Sequence, residues 1–270
     1  MEKNLLLNIK ENKDLNISSK DGDSFTLDLN STNKKDINIL FQEGSYDLLV
    51  LSAENKNLFL DVKPNSNLSI SFLAEGSIKQ FNISSKLSEN SSINLYFADF
   101  SIGEAMSTIV LNLNGNNAKA YWHLASLSSN TDNKEFNVSI NHNSPFTYAQ
   151  SDNYGVCKDD GKLVFSGVSN IKNGSIKSKT TQNAKIMVFD RLSHGIAKPI
   201  LKIDENDVEA SHAAVVGKIN DEHLFYLTSR GISEQTAKEL ITFGYLKPIL
   251  VGFKNEKIVE TINNIIERRM

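Results

Sequence analysis

A single cysteine, Cys157, in 270 residues rules out an intramolecular disulfide framework, and with it any zinc site made of paired cysteines. Only 4 prolines are present, so the turns must be made mostly by Asn, Asp, Gly and Ser. Neither sign of charge dominates. With 29 Lys and Arg against 32 Asp and Glu, no basic field exists to hold nucleic acid or an anionic membrane surface. No apolar run approaches membrane-spanning length, and the opening MEKNLLLNIKENK carries too short an apolar stretch for a secretory signal. These absences lead to the expectation of a cytoplasmic protein with no nucleic-acid and no membrane partner. The phosphate loops GxxxxGK[ST] and GxGxxG are missing as well, as are HExxH and GxSxG. Direct nucleotide binding, a zinc-protease centre and a serine-hydrolase elbow therefore find no support.

What the chain does contain, up to about residue 200, is a succession of short alternating segments: 25–29, 47–51, 58–62, 68–72, 109–113, 136–140, 162–165, 175–178 and 186–189. They are strands, punctuated by Asn-Gly, Asp-Gly and Glu-Gly pairs. A sandwich, a barrel or a stacked solenoid would all fit this spacing. Amide and hydroxyl residues beside the strands (Asn112, Asn114, Asn117; Ser126, Ser128, Asn130) could satisfy one another in ladders if the coils stack. Against a solenoid, no fixed repeat period is visible, so the residues leave sandwich and solenoid open.

Between Lys198 and Gly231 the period changes. A short strand with Ile200, Leu201 and Ile203 turns at Asp204 to Asp207 and resumes over 208–216; beyond Gly217 the pattern is helical. Asn220 caps a first helix that stops at Arg230-Gly231, with Leu224, Phe225 and Leu227 close together on it. Ser233 caps a second, running to about Tyr245, with Ala237, Leu240 and Ile241 on one face. Pro248 should end or kink it. A third, over 255–268, carries the stripe Ile258, Val259, Ile262, Ile265 and Ile266, which must pack on the β body or on another protein. The expected division is a β core over 1–217 and a helical region over 218–270.

Chemistry-bearing residues are few. A sugar-cleaving solenoid would need two carboxylates aimed into one groove, whereas Asp159-Asp160 and Asp204 to Asp207 read as solvated corners. Cys157, in a strand, reads as a small hydrophobe. His123 and His223 have ordinary settings, His194 reads as a turn residue, and His142 lies just past a strand. His212, between Ser211 and Ala213-Ala214, differs only in having small neighbours, which leave room for a cluster or a partner to approach an imidazole suited to iron.

Several stretches, in order, resemble the SufB/SufD family of iron–sulfur cluster assembly scaffolds: INHNSP, YGVCKDDGKLVFSGVSNI, KTTQNAKIMVF, KPILKIDENDVEASHAAVVGKIN and DEHLFYLTSRGISEQTAKELI. Residues 1 to about 130 share only its general character, and the helical N-terminal region of longer members is not seen. The resemblance implies a mainly β fold, a right-handed parallel β-helix with a small C-terminal α-helical region. It further implies a non-catalytic scaffold that pairs with a SufB-like subunit, docks the SufC-like ABC ATPase, and binds no nucleotide itself. A homodimer is the other pairing it allows. In SufB-like chains a cysteine stands where this chain has Asn183 and a glutamate where it has Ala213, so the likeness is to the SufD-like subunit. His212 then becomes the residue expected to ligate iron in a transient iron–sulfur cluster shared with the partner. Asp221, Leu224, Phe225, Leu227, Arg230 and Gly231 become the expected ATPase contact. Competing classes are a β-solenoid polysaccharide lyase or hydrolase, and a purely structural solenoid; neither accounts for the ordered C-terminal motifs.

Overall fold

The computed structural model describes residues 4–7, 15–17, 24–29, 32–51, 55–77 and 79–270. The rest of the opening stretch considered for a signal lies outside the described residues. Alternation along the segments makes strands, and the strands alternate between two all-parallel sheets. One sheet runs β1 (Asn4–Leu7), β3 (Ser24–Asp28), β5 (Gly44–Leu51), β7 (Ser66–Gly76), β9 (Ser92–Ser101), β11 (Lys119–Ser128), β13 (Tyr148–Cys157), β15 (Lys179–Val188), β17 (Glu209–Lys218). The other runs β2 (Leu15–Ile17), β4 (Asp36–Phe41), β6 (Lys56–Val62), β8 (Gln80–Leu87), β10 (Glu104–Leu113), β12 (Asn133–His142), β14 (Lys162–Ile171), β16 (His194–Ile203). Each chain turn therefore contributes one strand to each sheet, which is a parallel β-helix.

Asparagine makes the corners. Asn55, Asn65, Asn90, Asn117 and Asn130 all have positive φ, a backbone region that Asn tolerates better than most residues. Stacked corners then bond to each other: Asn117 Nδ2 donates to Asn90 Oδ1 at 3.0 Å, and on the strands Asn141 Nδ2 donates to Asn112 Oδ1 at 3.0 Å. The step between stacked residues grows from 25 (Asn65 to Asn90) through 27 (Asn90 to Asn117) and 29 (Asn112 to Asn141) to 31 (Asp152 to Asn183). This drift removes the repeat signal from the sequence while keeping the strands in register.

The lumen is filled by an aromatic file in which Phe97 packs on Phe72, Trp122 and Phe136, and Phe136 on Phe165, with centroids 5.8–6.0 Å apart. A second apolar cluster lies on the outer face of the nine-stranded sheet. There α1 (Asp221–Ser229) packs on α2 (Glu234–Leu246), while α2, the 3-10 helix over Lys247–Gly252 and the segment into α3 (Glu256–Arg269) bring Leu246, Ile249, Phe253 and Ile262 against Leu73, Phe100, Leu127 and Val156. Asn220, Ser233 and Asn255 cap α1, α2 and α3, and Pro248 ends α2 by opening the 3-10 turn. The stripe on α3 packs on the β body: Ile262, Ile265 and Ile266 are buried, each worth roughly 1.5–3 kcal/mol. The end of α3 is pinned by Arg269, which donates to the Phe100 and Ser101 carbonyls, to Ser129 Oγ and to the Asp132 carboxylate.

Three local expectations are corrected. Residues 175–178 form a corner, because Ser175 and Ser178 turn their hydroxyls to the carbonyls of His142 and Ser144 and Lys177 has φ 60°. His194 is the first residue of β16. Leu240, on the face assigned to packing in α2, is exposed while Ala237 is buried, because α2 meets the sheet along a narrower strip. Among the described residues no helix is long and apolar enough to cross a membrane.

Candidate functional site

The last coil of the solenoid is open on both faces of β17. In β13 and β15 every second side chain is buried, but β17 is exposed along almost its whole length, because no strand lies beyond it. Its edge and that of β16 present unpaired backbone groups. Within β17 the register pairs Gln182 with His212 and Ala184 with Ala214, and both lower residues face the lumen. His212 therefore points into the solenoid's mouth, while Ser211, Ala213 and Val215 point outward. The imidazole makes no hydrogen bond to the described residues, and its same-face neighbours along β17 are Ala210 and Ala214. His212 is exposed.

Beneath the mouth the lumen turns polar, a feature that strand alternation alone did not bring out. Thr180 Oγ1 donates to Ser169 Oγ at 2.9 Å, Gln182 Nε2 donates to the same oxygen at 2.7 Å, and one layer deeper Trp122 Nε1 donates to Asn153 Oδ1 at 2.9 Å. The signal was present as polar residues at inward positions of strands, Ser151, Asn153, Thr180 and Gln182. On the outer face, next to Ala213, a column of register partners runs Tyr96, His123, Asp152, Asn183. His123 stacks on Tyr96 with centroids 4.8 Å apart, and its Nδ1 lies 3.5 Å from Asp152 Oδ2. Burial pushes the Asp152 carboxyl up, but hydrogen bonds from His123, Asn183 and Gln150 outweigh it and hold the group below its usual range.

Matching residues 37–245 is the family model described as SUF system FeS cluster assembly, SufBD core domain. The chain belongs to the SufBD family. It is 30% identical over 168 residues to the iron–sulfur cluster assembly protein SufD of Bacillus subtilis, covering 62% of this chain and 38% of that protein. To SufD of Escherichia coli it is 30% identical over 131 residues, 48% of this chain and 31% of that one. An iron–sulfur cluster assembly SufBD family protein of Mycobacterium tuberculosis is 24% identical over 212 residues, 77% of this chain and 25% of its own. The chain thus spans well under half the length of these curated relatives and is SufD-like.

The other residues singled out in this SufBD chain fall in distinct places. Asp221, Leu224, Phe225 and Leu227 lie on α1, a helix with no buried residue, where Phe225 is 73% exposed. Arg230 caps it and lies 5.1 Å over the Tyr226 ring, and Gly231 takes φ 88° at the turn into α2. Cys157 is buried in the lumen wall, its Sγ 3.6 Å from the His194 carbonyl, and burial pushes its thiol up to about 12, so it stays protonated. Lys158 points elsewhere, to the backbone carbonyls of Arg269 and Met270. Among the described residues no three His, Cys, Asp or Glu side chains converge on one point, so His212 belongs to no such group.

His142 is the one histidine sealed inside. Its Nδ1 meets Thr147 Oγ1 at 2.7 Å while Nε2 has no partner, and burial pushes its pKa down to about 4 from 6.5. The unfolded chain takes up a proton below about pH 6.5 that the folded chain refuses until about pH 4, so stability should fall across that window as pH drops. The loss approaches ~3 kcal/mol at the acid end. Urea midpoints of wild type and His142→Gln, compared near neutrality and near pH 4.5, check this: the variant should show a shallower decline, and equal declines would reject it.

Proposed function

We propose that this chain is the β-helix portion of a SufD-like scaffold subunit, divided into a solenoid core up to residue 217 and a helical docking region after it. It pairs at its open last coil with a SufB-like subunit, and through α1 it docks a SufC-like ATPase. Its cargo is a nascent iron–sulfur cluster built at the paired interface, and it carries out no hydrolysis itself. The observation that supports this reading is His212 on an edge strand with one side unpaired, exposed, making no hydrogen bond to the described residues and with Ala210 and Ala214 beside it on the same face. Exposed edge strands are ready templates for a second chain. A neutral imidazole supplies one borderline-soft ligand, and the remaining ligands for iron must come from the partner. A cysteine on the partner's facing coil supplies the thiolate that Asn183 does not.

The second contact follows from α1. A capped helix that buries nothing, with Phe225 and Tyr226 exposed beside Leu224 and Leu227, is an apolar surface in search of a cover. Deleting the whole helical region would also strip α3 from the sheet, so point changes are the cleaner probes.

Co-expression with a SufB-like and a SufC-like protein tests both contacts. The wild-type chain should purify in a complex that loads iron and sulfide. His212→Ala should leave that complex intact and lower loading at least tenfold; Phe225→Ala should selectively lose the ATPase. Unchanged loading with His212→Ala, or failure of the wild-type chain to enter any complex, would refute the assignment.

A further inference from the structure

An imidazole on an edge strand has a neighbour on one side only, so what lies beneath it decides how its ring is held. Beneath His212 that neighbour is Gln182, its register partner on the same inner face, about 4.8 Å away along the sheet. Gln182 is 4% exposed although it carries a primary amide. Its Nε2 donates to Ser169 Oγ at 2.7 Å and to the Ile200 carbonyl at 3.1 Å, both on the opposite sheet, so the side chain crosses the lumen as a strut. The amide's orientation is decided by chemistry, because a carbonyl oxygen accepts only and must face the NH2 group. Its Oε1 is then seated over Gly167, where an added Cβ would lie 2.5 Å away. Only glycine leaves that space open. Deeper in the lumen the opposite wall carries Val138 and Ile109 at this position; the substitution of glycine occurs in the layer directly under the mouth.

We propose that Gln182 is the positioning residue for His212: its carboxamide, clamped across the lumen and seated over Gly167, is the platform on which the imidazole is held in one orientation toward the interface. This rests on the assignment of His212 above and adds what that assignment lacks, a means of presenting a lone ring on an open edge. A ligand histidine free to swing loses part of its binding to ordering, and partners that orient a ligand typically govern about 10–100-fold in metal affinity.

Two variants separate this from a purely structural strut. Gln182→Met keeps the stem and loses both donors. Gly167→Ala fills the seat of Oε1 and displaces the carboxamide while leaving the identities of residues 182 and 212 unchanged. In the free full-length wild-type chain, NMR should show a single set of His212 ring signals with cross-relaxation to the Gln182 side chain, and both variants should broaden or split those signals. In the reconstituted complex both should assemble with the partners yet load iron and sulfide ~10–100-fold less, and the double variant should be no worse than the poorer single one, as for residues acting as one unit. If His212→Ala loads normally, the site assignment fails. If His212→Ala abolishes loading while both variants load like wild type, the role of Gln182 is overturned. Lower thermal stability with unchanged His212 signals also overturns it, as does the absence of the His212–Gln182 contact in the wild-type chain.

Discussion

Lys134→Met should lower the stability of the solenoid by about 3–5 kcal/mol, the cost of leaving a buried charge without its partner. Lys134 and Asp99 both lie within the lumen, their side chains 0% and 2% exposed, with Nζ 2.7 Å from Asp99 Oδ2 and 2.8 Å from the Leu127 carbonyl. Burial pushes the Asp99 carboxyl up; the charge and hydrogen bond of Lys134, with the hydroxyls of Ser101 and Ser126, outweigh it and hold the group below its usual range. Burial likewise pushes the Lys134 ammonium down, opposed by Asp99. Remove the lysine and only the hydroxyls of Ser101 and Ser126 and the Ser101 amide remain to stabilise a carboxylate sealed from water. Asp99→Asn in the same chain removes the orphaned charge, so Lys134→Met with Asp99→Asn should regain most of the loss. Denaturant midpoints of the two singles and the double supply the cycle, and a single-variant loss below about 1 kcal/mol would count against a charge-paired interior.

Gly115→Ala should cost ~3 kcal/mol, the upper end of what overpacking does, because the obstruction is backbone and cannot rotate aside. Gly115 sits at a corner where its amide and that of Asn114 donate to the Leu87 carbonyl at 3.0 and 2.9 Å, while Asn90 N donates back to the Asn116 carbonyl at 2.9 Å. A Cβ there would overlap the amide nitrogen of Glu89 and the carbonyl carbon of Ser88. Room could be made only by separating two coils and breaking those bonds. Gly217, in β17, meets nothing within 4 Å, so Gly217→Ala should stay within about 0.5 kcal/mol of wild type. Thermal melts of the two variants side by side decide the point: similar melting temperatures would show that the corners are looser than their geometry implies.

Much of the local structure was legible because it depends on neighbours in the chain. Alternation located strands such as β3, β5, β6, β10 and β12 while leaving β4, β8 and β9 unmarked, Asn220 and Ser233 announced two helix starts, and the five-residue stripe on α3 announced a packing face. The error at 175–178 has the same root: alternating Ser175, Ile176, Lys177, Ser178 imitates a strand, and only the carbonyls of His142 and Ser144 one coil away turn those hydroxyls into corner ties. The candidate site was legible by residue likeness alone. Small neighbours are the one local feature that separates His212 from His142, yet His142 is sealed in the lumen with its Nε2 unpartnered and His212 stands exposed on the edge strand.

By itself, the sequence determined many of the strands, turns made by Asn, Asp, Gly and Ser, the three C-terminal helices and, through its ordered motifs, the family. These are set by interactions within a few residues or by side-chain chemistry that survives in any context. The tertiary structure decided what depends on stacking: sandwich against solenoid, hidden by a coil step that drifts from 25 to 31 residues; the docking of α3 on the sheet; and the face of each strand that meets the lumen. It also decided that the lumen ends at Gln182 with His212 above it, because a residue on an edge strand is exposed by the absence of the next coil, a relation between coils and not between neighbours in the chain.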